Sequence, residues 1–398
     1  MAGAAQQAVR CRPPGRAATT NRRLQGVRIA RNNQLIMSEK VVLLLGAGAS
    51  VSDVATRSLT KRPPLDARFF SIAAASHSDD VQLNAVRGYF NRTYGIDICA
   101  VEHDSMETVM ASLYPDLFNS SLSTAAEPTF RALLQLFTNR LARTTNNLRP
   151  TQKRLLYRML SHMLADEIDP CDITIITFNQ DIQAEKMLEH LSQAKRWARK
   201  ASSAFAFPAL YAIPESKWKG ITYPKGAPDC FTHTKTEDPC LQVLKLHGSL
   251  NWYSNHTSKN PSREAMLRQG RPLSVTRRRT ISTTMTISGK RTTYALPVVV
   301  PPVTHKSSVV PSALGPIWSL AEKRLVEADR VVVFGYSCPQ LDFESANLLR
   351  RSQEKRSEKA TFTVIDPEGA VATRYIGLLR LSRLHYYATG HDYLAPRS

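Results

Sequence analysis

Residues 41–50 have the sequence VVLLLGAGAS, and this stretch decides the fold class. An unbroken run of five apolar residues is typical of a strand that is buried on both faces of a parallel sheet. Gly46 and Gly48 end the run and allow a sharp turn into a helix. The stretch therefore predicts the first half of an α/β unit.

Four later segments repeat the pattern of a short apolar run that stops at glycine or polar residues. They are residues 173–177, 243–246, 330–334 and 361–365. Helical periodicity predicts helices at 183–199, 317–327 and 344–354, and the last two flank the strand at 330–334. This alternation of strands and helices predicts a Rossmann-like parallel sheet of the α/β class.

The first two strands are separated by roughly 120 residues, far more than one crossover needs. Apolar side chains recur there at three- and four-residue intervals over 106–114, 129–141 and 152–164. We therefore expect an inserted helical subdomain at about residues 75–168, whose helices each bury one apolar face.

The ends and the charge of the chain predict a folded domain over residues 39–398. The formal net charge is +20, from 53 Lys and Arg against 33 Asp and Glu. Residues 1–38 carry seven arginines and no acid, so they cannot form a core and are expected to be a disordered basic tail. Their composition resembles a transit peptide, whereas a misassigned start upstream of Met37 is equally compatible with the sequence.

A second basic segment, at about residues 255–296, contains nine Lys or Arg and a single acid, Glu264. Its Thr- and Ile-rich part and the turn at Ser288-Gly289-Lys290 predict a surface hairpin. Clustered basic residues could also follow a nucleic-acid backbone, so this segment permits a nucleic-acid partner without requiring one.

Metal and membrane binding are not expected. The six cysteines form no CxxC pair, and Cys230, His233 and Cys240 are too few and too irregular for a closed zinc site. No stretch approaches 18 consecutive apolar residues, so no spanning helix is expected. Unpaired cysteines fit a reducing compartment, and we expect the protein to be cytoplasmic.

A ligand of a parallel sheet binds beyond the carboxyl ends of its strands, so the residues there are the candidate site. In this chain, polar residues or glycines follow every predicted strand, within the groups Gly46-Ala47-Gly48-Ala49-Ser50, Phe178-Asn179-Gln180-Asp181, His247-Gly248-Ser249, Gly335-Tyr336-Ser337 and Asp366. We expect all five groups to converge on one crevice.

Each group also has a purely structural interpretation. The glycine turn could cradle a phosphate or only pack helix on strand; Val51 stands where the dinucleotide fingerprint has its third glycine, and the nearest acid, Asp66, lies in a loop. Asn179 and Asp181 could hold ribose hydroxyls or a water, or could cap the next helix. His247 is expected to reach the crevice as a general base, although a lone histidine is more often structural.

Together and in this order, the five strand-end motifs resemble the sirtuin superfamily and its sirtuin/DHS-like NAD-binding fold. Flanking segments, among them Pro63-Pro64-Leu65-Asp66 and His247-Gly248-Ser249-Leu250-Asn251-Trp252, are similar to a bacterial sirtuin-like group in antiphage defence that consumes NAD. The resemblance covers about residues 40–370. It implies an NAD hydrolase that releases nicotinamide and ADP-ribose.

The resemblance also implies roles for individual residues. Asn179 would orient the ribose and the attacking water, His247 would be the general base, and Asp181 would support the nicotinamide pocket. NAD-binding positions would be Gly46, Ala47, Gly48, Ser50, Asp66, Thr177, Ser249, Gly335, Tyr336, Ser337, Asp342 and Asp366.

The chain also departs from the deacylase pattern. Deacylases carry a four-cysteine zinc module after the histidine-glycine pair, whereas here no cysteine occurs between residue 255 and Cys338. A peptide cleft is therefore not expected. An NAD-dependent deacylase, an ADP-ribosyltransferase and a non-catalytic NAD- or nucleic-acid-binding module remain the alternatives, and a homo-oligomer or a separate sensor protein is left open.

Overall fold

The computed structural model describes residues 39–52, 63, 68–76, 80–100, 103–146, 154–165, 170–192, 209–211, 241–254, 273–275, 285–287, 290–292, 297–300, 314–339, 342–357 and 360–395. Several sequence predictions lie outside these residues. They are the tail at 1–38, Asp66, the group Cys230, His233 and Cys240, and most of the basic segment at 255–296.

The described strands, in chain order, are β1 (Val41–Leu45), β2 (Ile173–Thr177), β3 (Gln242–Lys245), β4 (Gly248–Ser254), β5 (Leu273–Val275), β6 (Met285–Ile287), β7 (Lys290–Thr292), β8 (Pro297–Val299), β9 (Arg330–Phe334), β10 (Thr361–Ile365) and β11 (His385–Tyr387). The described helices are α1 (Ala47–Ser52), α2 (Phe69–Ser76), α3 (Val81–Tyr94), α4 (Met106–Asp116), α5 (Ser123–Asn146), α6 (Leu155–Ala165), α7 (Gln183–Ser192), α8 (Gly315–Glu327), α9 (Phe343–Lys355), α10 (Gly369–Leu379) and α11 (Gly390–Leu394).

Six strands form the central sheet in the order β3-β2-β1-β9-β10-β11, and every pair is parallel. Counted along the chain within this sheet, the order is 3-2-1-4-5-6, which is that of a doubly wound Rossmann fold. The predicted Rossmann-like parallel sheet is therefore confirmed. The chain adds β11, which the sequence analysis did not predict.

The strands are buried because helices cover both faces of the sheet. All five residues of β1 are buried, as expected for a central parallel strand. Helix α8 packs against α9 and α9 against α10, whereas α6 packs against α7 and α11. Since the chain winds from β1 towards β3 in one direction and from β9 towards β11 in the other, right-handed crossovers place these two groups of helices on opposite faces.

Helices α2 to α6 lie between β1 and β2 in the chain, and α3 and α4 both pack against α5. Their ends follow local sequence signals. Asp80 caps α3 by accepting from the N–H groups of Gln82 and Leu83, and Gly95 ends that helix at φ 68°. Ser105 caps α4 through the N–H of Thr108.

Two smaller sheets follow β3. Strand β4 pairs antiparallel with β5 and β8, and β6 pairs antiparallel with β7. The pair β6–β7 and strand β5 are the described parts of the segment at about 255–296, for which the sequence predicts a basic hairpin. None of the described helices combines the length and the hydropathy that a membrane-spanning helix requires.

Candidate functional site

The turns after β1 and β9 interlock at the point where the strand order of the sheet reverses. Gly46 donates its N–H to the carbonyl of Phe334 at 3.1 Å, and Gly48 donates to the carbonyl of Gly335 at 2.9 Å. A Cβ atom on Gly46 would lie 2.4 Å from the Cα of Tyr336, closer than real Cβ atoms approach. Packing of the two turns therefore explains the glycines, and their binding of a pyrophosphate stays a prediction.

Three polar side chains from β1–α1 and from the end of β2 form one hydrogen-bonded cluster, which we call the Ser50 cluster: Ser50, Asn179 and Asp181. The hydroxyl of Ser50 donates to Oδ2 of Asp181 at 2.6 Å. Nδ2 of Asn179 donates to that hydroxyl at 3.1 Å and to the carbonyl of Gly46 at 2.8 Å. The side chains of Asn179 and Asp181 are thus both bonded to Ser50 on α1.

These contacts fix the orientation of the Asn179 amide. The carbonyl of Gly46 can only accept a hydrogen bond, so the amide atom that faces it is the nitrogen. Both N–H bonds of Nδ2 are then used, by Gly46 and by Ser50. Oδ1 is left as an acceptor to which no described residue donates. It can accept a hydrogen bond from a ribose hydroxyl or a water.

The backbone around the cluster is held by further bonds. Oδ1 of Asp181 accepts from the N–H of Gln183 at 2.9 Å, which is the capping role that the sequence also allowed. Oγ1 of Thr177 accepts from the N–H of Asn179 at 3.0 Å. Gln183 in turn donates to the carbonyl of Thr145 on α5 at 2.8 Å, so the cluster is connected to the helices between β1 and β2.

Replacing Ser50 with alanine is expected to destabilise the protein by about 1–3 kcal/mol, because a buried carboxylate oxygen of Asp181 would lose its short hydrogen bond. Urea unfolding of the purified variant measures this change. Ser52→Ala is the matched control, because that exposed hydroxyl donates only to the carbonyl of Ala49. Equal stability of the two variants would contradict the assigned bonds.

His247 is buried at the carboxyl end of β3, and its expected role at the crevice stays a prediction. The residue is 7% exposed, and its ring centroid lies 5.3 Å from that of Phe178 and 6.2 Å from that of Trp318. Its Nε2 is 3.9 Å from Oδ2 of Asp342, which is 3% exposed. The ring is enclosed because aromatic side chains from three elements meet beyond the end of β3. It nevertheless has a carboxylate beside it.

Tyr336 contacts both the aromatic rings around His247 and the carboxylate of Asp342. Its ring stacks on Phe178 at 4.0 Å between centroids, and its hydroxyl donates to Oδ2 of Asp342 at 2.8 Å. Burial, with the charge of Asp342 as the next cause, raises the pKa of Tyr336 well above its ordinary value. Tyr336 is therefore a hydrogen-bond donor, and Asp342 also caps α9 through the N–H of Ser345.

The other positions predicted to bind NAD differ in exposure and in their bonding partners. Ala47 is exposed at the start of α1, and Arg374 donates to the carbonyl of Ser337 at 2.6 Å. Asp366 is half-buried after β10, where burial raises the pKa of its carboxyl group. Ser249 is fully buried, and its hydroxyl donates to Oδ1 of Asn251 at 2.5 Å. The structure therefore does not bring the Ser249 side chain to the Ser50 cluster.

Lys245 and Glu185 form a buried charged pair next to the backbone of Asp181, and the sequence did not lead us to predict it. Lys245 is 0% exposed in its side chain, and its Nζ pairs with Oε1 of Glu185 at 2.9 Å and donates to the backbone carbonyl of Asp181. Tyr211 also donates to Oε1 of Glu185, at 3.0 Å. The sequence did contain an indication of this pair, because a lysine inside the apolar run 243–246 needs a buried partner of opposite charge.

The described residues contain no group of three or more His, Cys, Asp and Glu side chains that could hold a metal ion. Neither a protein-family model nor a curated protein matches the sequence.

The chain is similar to solved structures of Sir2 proteins. One is a Sir2 homologue in complex with NAD, at 12% identity and a TM-score of 0.37, with 90% of this chain and 87% of that chain covered. Another is a mutant Sir2 homologue in complex with ADP-ribose, at 12% identity and a TM-score of 0.39, with coverages of 90% and 89%. Since these TM-scores are low, the function proposed below rests on the chain's own residues.

Proposed function

We propose that the protein is an NAD glycohydrolase, which cleaves the bond between nicotinamide and ribose to give nicotinamide and ADP-ribose. The observation that carries this proposal is the Ser50 cluster. It lies where the strand order of a Rossmann-type sheet reverses, which is where such sheets bind dinucleotides.

The position of the sheet ends supports a dinucleotide as the substrate. Leu45 is in register with Phe334 on one side and with Thr177 on the other, so the turns after these three strands lie at one edge. The pyrophosphate would lie along the turn at Gly46 and Gly48. Asp366, at the end of β10, offers a carboxylate for the hydroxyls of the adenosine ribose.

Asn179 would orient the nucleophile. Its amide cannot rotate without losing the bonds to Gly46 and Ser50, so Oδ1 is a fixed acceptor. A water that donates one hydrogen to this oxygen keeps a lone pair directed at C1′ of the ribose. Fixing the water in this way lowers the entropic cost of the reaction.

His247 would take the proton of that water. The carboxylate of Asp342, 3.9 Å from Nε2, can stabilise the imidazolium that forms. As the new C1′–O bond forms, the C1′–N bond breaks, and its electron pair passes to the ring nitrogen of nicotinamide. The pyridinium thereby becomes neutral, so the leaving group needs no acid.

The test is NAD consumption by purified wild-type protein, with nicotinamide and ADP-ribose measured together. We expect Asn179→Ala and His247→Ala each to lower turnover by about 10²–10⁴-fold, the range for loss of a positioned proton acceptor. Asn91→Ala and His385→Ala are matched controls, because both side chains are exposed on the surface. They should retain wild-type turnover.

The products discriminate this proposal from its alternatives. Free ADP-ribose in an amount equal to nicotinamide supports the hydrolase. ADP-ribose attached to protein, or a deacylated peptide, would identify a transferase or a deacylase instead. Folded wild-type protein that binds NAD without releasing nicotinamide would contradict the hydrolase and favour a binding module.

We also propose a biological setting. The resemblance to the NAD-consuming antiphage group supports a role as a cytoplasmic defence effector that depletes NAD. Expression of the wild-type chain in bacteria challenged with phage, beside Asn179→Ala, tests this role. Phage-dependent loss of cellular NAD only with the wild type would support it.

A further inference from the structure

A buried arginine, Arg140, lies in an open pocket between α2, α3 and α5. The pocket, which we call the Arg140 pocket, is open to solvent and has a cavity volume of about 60 Å³. Its polar lining consists of Ser76, Asp80, Asn139, Arg140, Arg143 and Thr144.

Arg140 carries a charge that no described acid neutralises. The residue is 8% exposed, and the one hydrogen bond that its side chain makes in the described part of the chain is from Nη1 to the hydroxyl of Ser76 at 3.0 Å. Its Nε is buried and has no partner among the described residues. Burial is the cause that lowers the pKa of this guanidinium, and no acid among the described residues raises it.

Ser76 holds the guanidinium in place. Its hydroxyl donates to the carbonyl of Ile72 at 2.7 Å, so its oxygen is free to accept from Arg140. One N–H of Arg140 is thus fixed by α2. The other four N–H groups of the fork have no partner among the described residues.

The remaining lining residues indicate what the pocket would bind. Arg143, three residues further along α5, is exposed and adds a second guanidinium. Asp80 is the one described acid in the lining; its Oδ1 caps α3, and it makes no ion pair with Arg140. Two guanidinium groups match the two negative charges of a phosphate monoester, and Asp80 can accept from a hydroxyl of the same molecule.

We infer that the Arg140 pocket is a binding site for the phosphate group of a small phosphate monoester. Its lining shares no residue with the site proposed for NAD, and the inference does not depend on NAD hydrolysis. Arginine is suited to this role because its planar fork donates two parallel hydrogen bonds to phosphate oxygens. A bound phosphate would also supply a counter-charge that buried Arg140 does not find among the described residues.

Thermal unfolding and calorimetric titration test the inference. The probes are sodium phosphate against sodium chloride at equal ionic strength, and ribose 5-phosphate against ribose. Phosphate and ribose 5-phosphate should raise the Tm of the wild type saturably, whereas chloride and ribose should not. In Arg140→Met the affinity for both phosphates should fall by at least about 10-fold, as expected for loss of hydrogen bonds from a charged group.

A second readout separates this role from a purely structural one. Without phosphate, Arg140→Met should unfold at the same temperature as the wild type or a higher one, because an uncompensated buried charge is replaced by an apolar side chain of similar length. If that variant does not fold, Arg143→Met takes its place in the titration, with the same loss of affinity expected. Arg350→Met is the control, because Arg350 is exposed on α9.

Two results would overturn the inference. One is a wild-type Tm that phosphate and ribose 5-phosphate leave unchanged. The other is a phosphate response of equal size in Arg140→Met, which would locate the anion elsewhere, for instance at the turn after β1.

Discussion

Replacing Gly335 with alanine is expected to lower the free energy of unfolding by more than about 4 kcal/mol, enough to leave little folded protein. Gly335 has φ 63°, a conformation that strains any residue with a Cβ atom. The added Cβ would also lie 2.3 Å from the nitrogen of Ala49 and 2.5 Å from the carbonyl carbon of Gly48. These are backbone atoms at the junction of β1 and α1, so no side-chain rotation can relieve the clash.

The junction cannot move aside because both strands are fixed in the middle of the sheet. Leu45 and Phe334 are in register, and the N–H of Gly48 is bonded to the carbonyl of Gly335 itself. Separating the two turns would therefore break bonds of the central β1–β9 pair. Far-UV circular dichroism and urea unfolding measure the outcome.

Gly377→Ala is the matched control, and this substitution should raise the free energy of unfolding. Gly377 lies within α10, is exposed, and a Cβ atom there would meet nothing within 4 Å. Alanine should stabilise that helix by about 0.5–1 kcal/mol. A Gly335→Ala protein within about 1 kcal/mol of the wild type would show that the two turns do not pack as described.

Replacing Lys245 with methionine is expected to cost about 3–5 kcal/mol, the range measured when one partner of a buried ion pair is removed. The side chain of Lys245 has no exposed surface, and that of Glu185 is only 10% exposed. Without the ammonium group, Glu185 would keep a buried charge, and among the described residues only the Tyr211 hydroxyl would donate to its Oε1; the carbonyl of Asp181 would also lose a donor.

A double variant separates the stability lost through the unpaired charge from the stability lost through altered packing of the lysine side chain. Lys245→Met combined with Glu185→Met should lose less stability than Lys245→Met alone, because no charge is then left buried. Lys323→Met is the control: Lys323 is 65% exposed in its side chain and pairs with Glu327 at 3.9 Å, so a change within about 0.5 kcal/mol is expected. An equal effect of both lysine variants would contradict the buried pair.

The strand-end rule predicted that the side chains after β1 and β2 lie close together, but it did not predict the bonds between them. Ser50, Asn179 and Asp181 follow β1 and β2, and adjacent parallel strands end at the same edge. The rule could not show that the Asn179 amide is fixed by Gly46, or that the Ser249 hydroxyl is used within β4. Those contacts depend on side-chain rotamers and on neighbours from other elements.

Strands were predicted best where the sequence contains an apolar run of four or five residues. Strands β1, β2, β9 and β10 have the predicted bounds, and β3 begins one residue earlier than predicted. Strand β11 is only three residues long at an edge of the sheet, and its sequence, HYY, lacks an apolar run. It forms because β10 offers an open edge, a feature that exists only after the sheet has assembled.

The sequence by itself determined the α/β class, the parallel strands and the polar character of their carboxyl ends, because hydrophobic periodicity is a relation between residues that are close in the chain. The tertiary structure alone decided that the glycine turns interlock, that His247 is enclosed by aromatic rings and that Lys245 pairs with Glu185. Ser50 and Asp181 are 131 positions apart, and Lys245 and Glu185 are 60 apart. Such contacts follow from the order and packing of the strands, which local patterns do not specify.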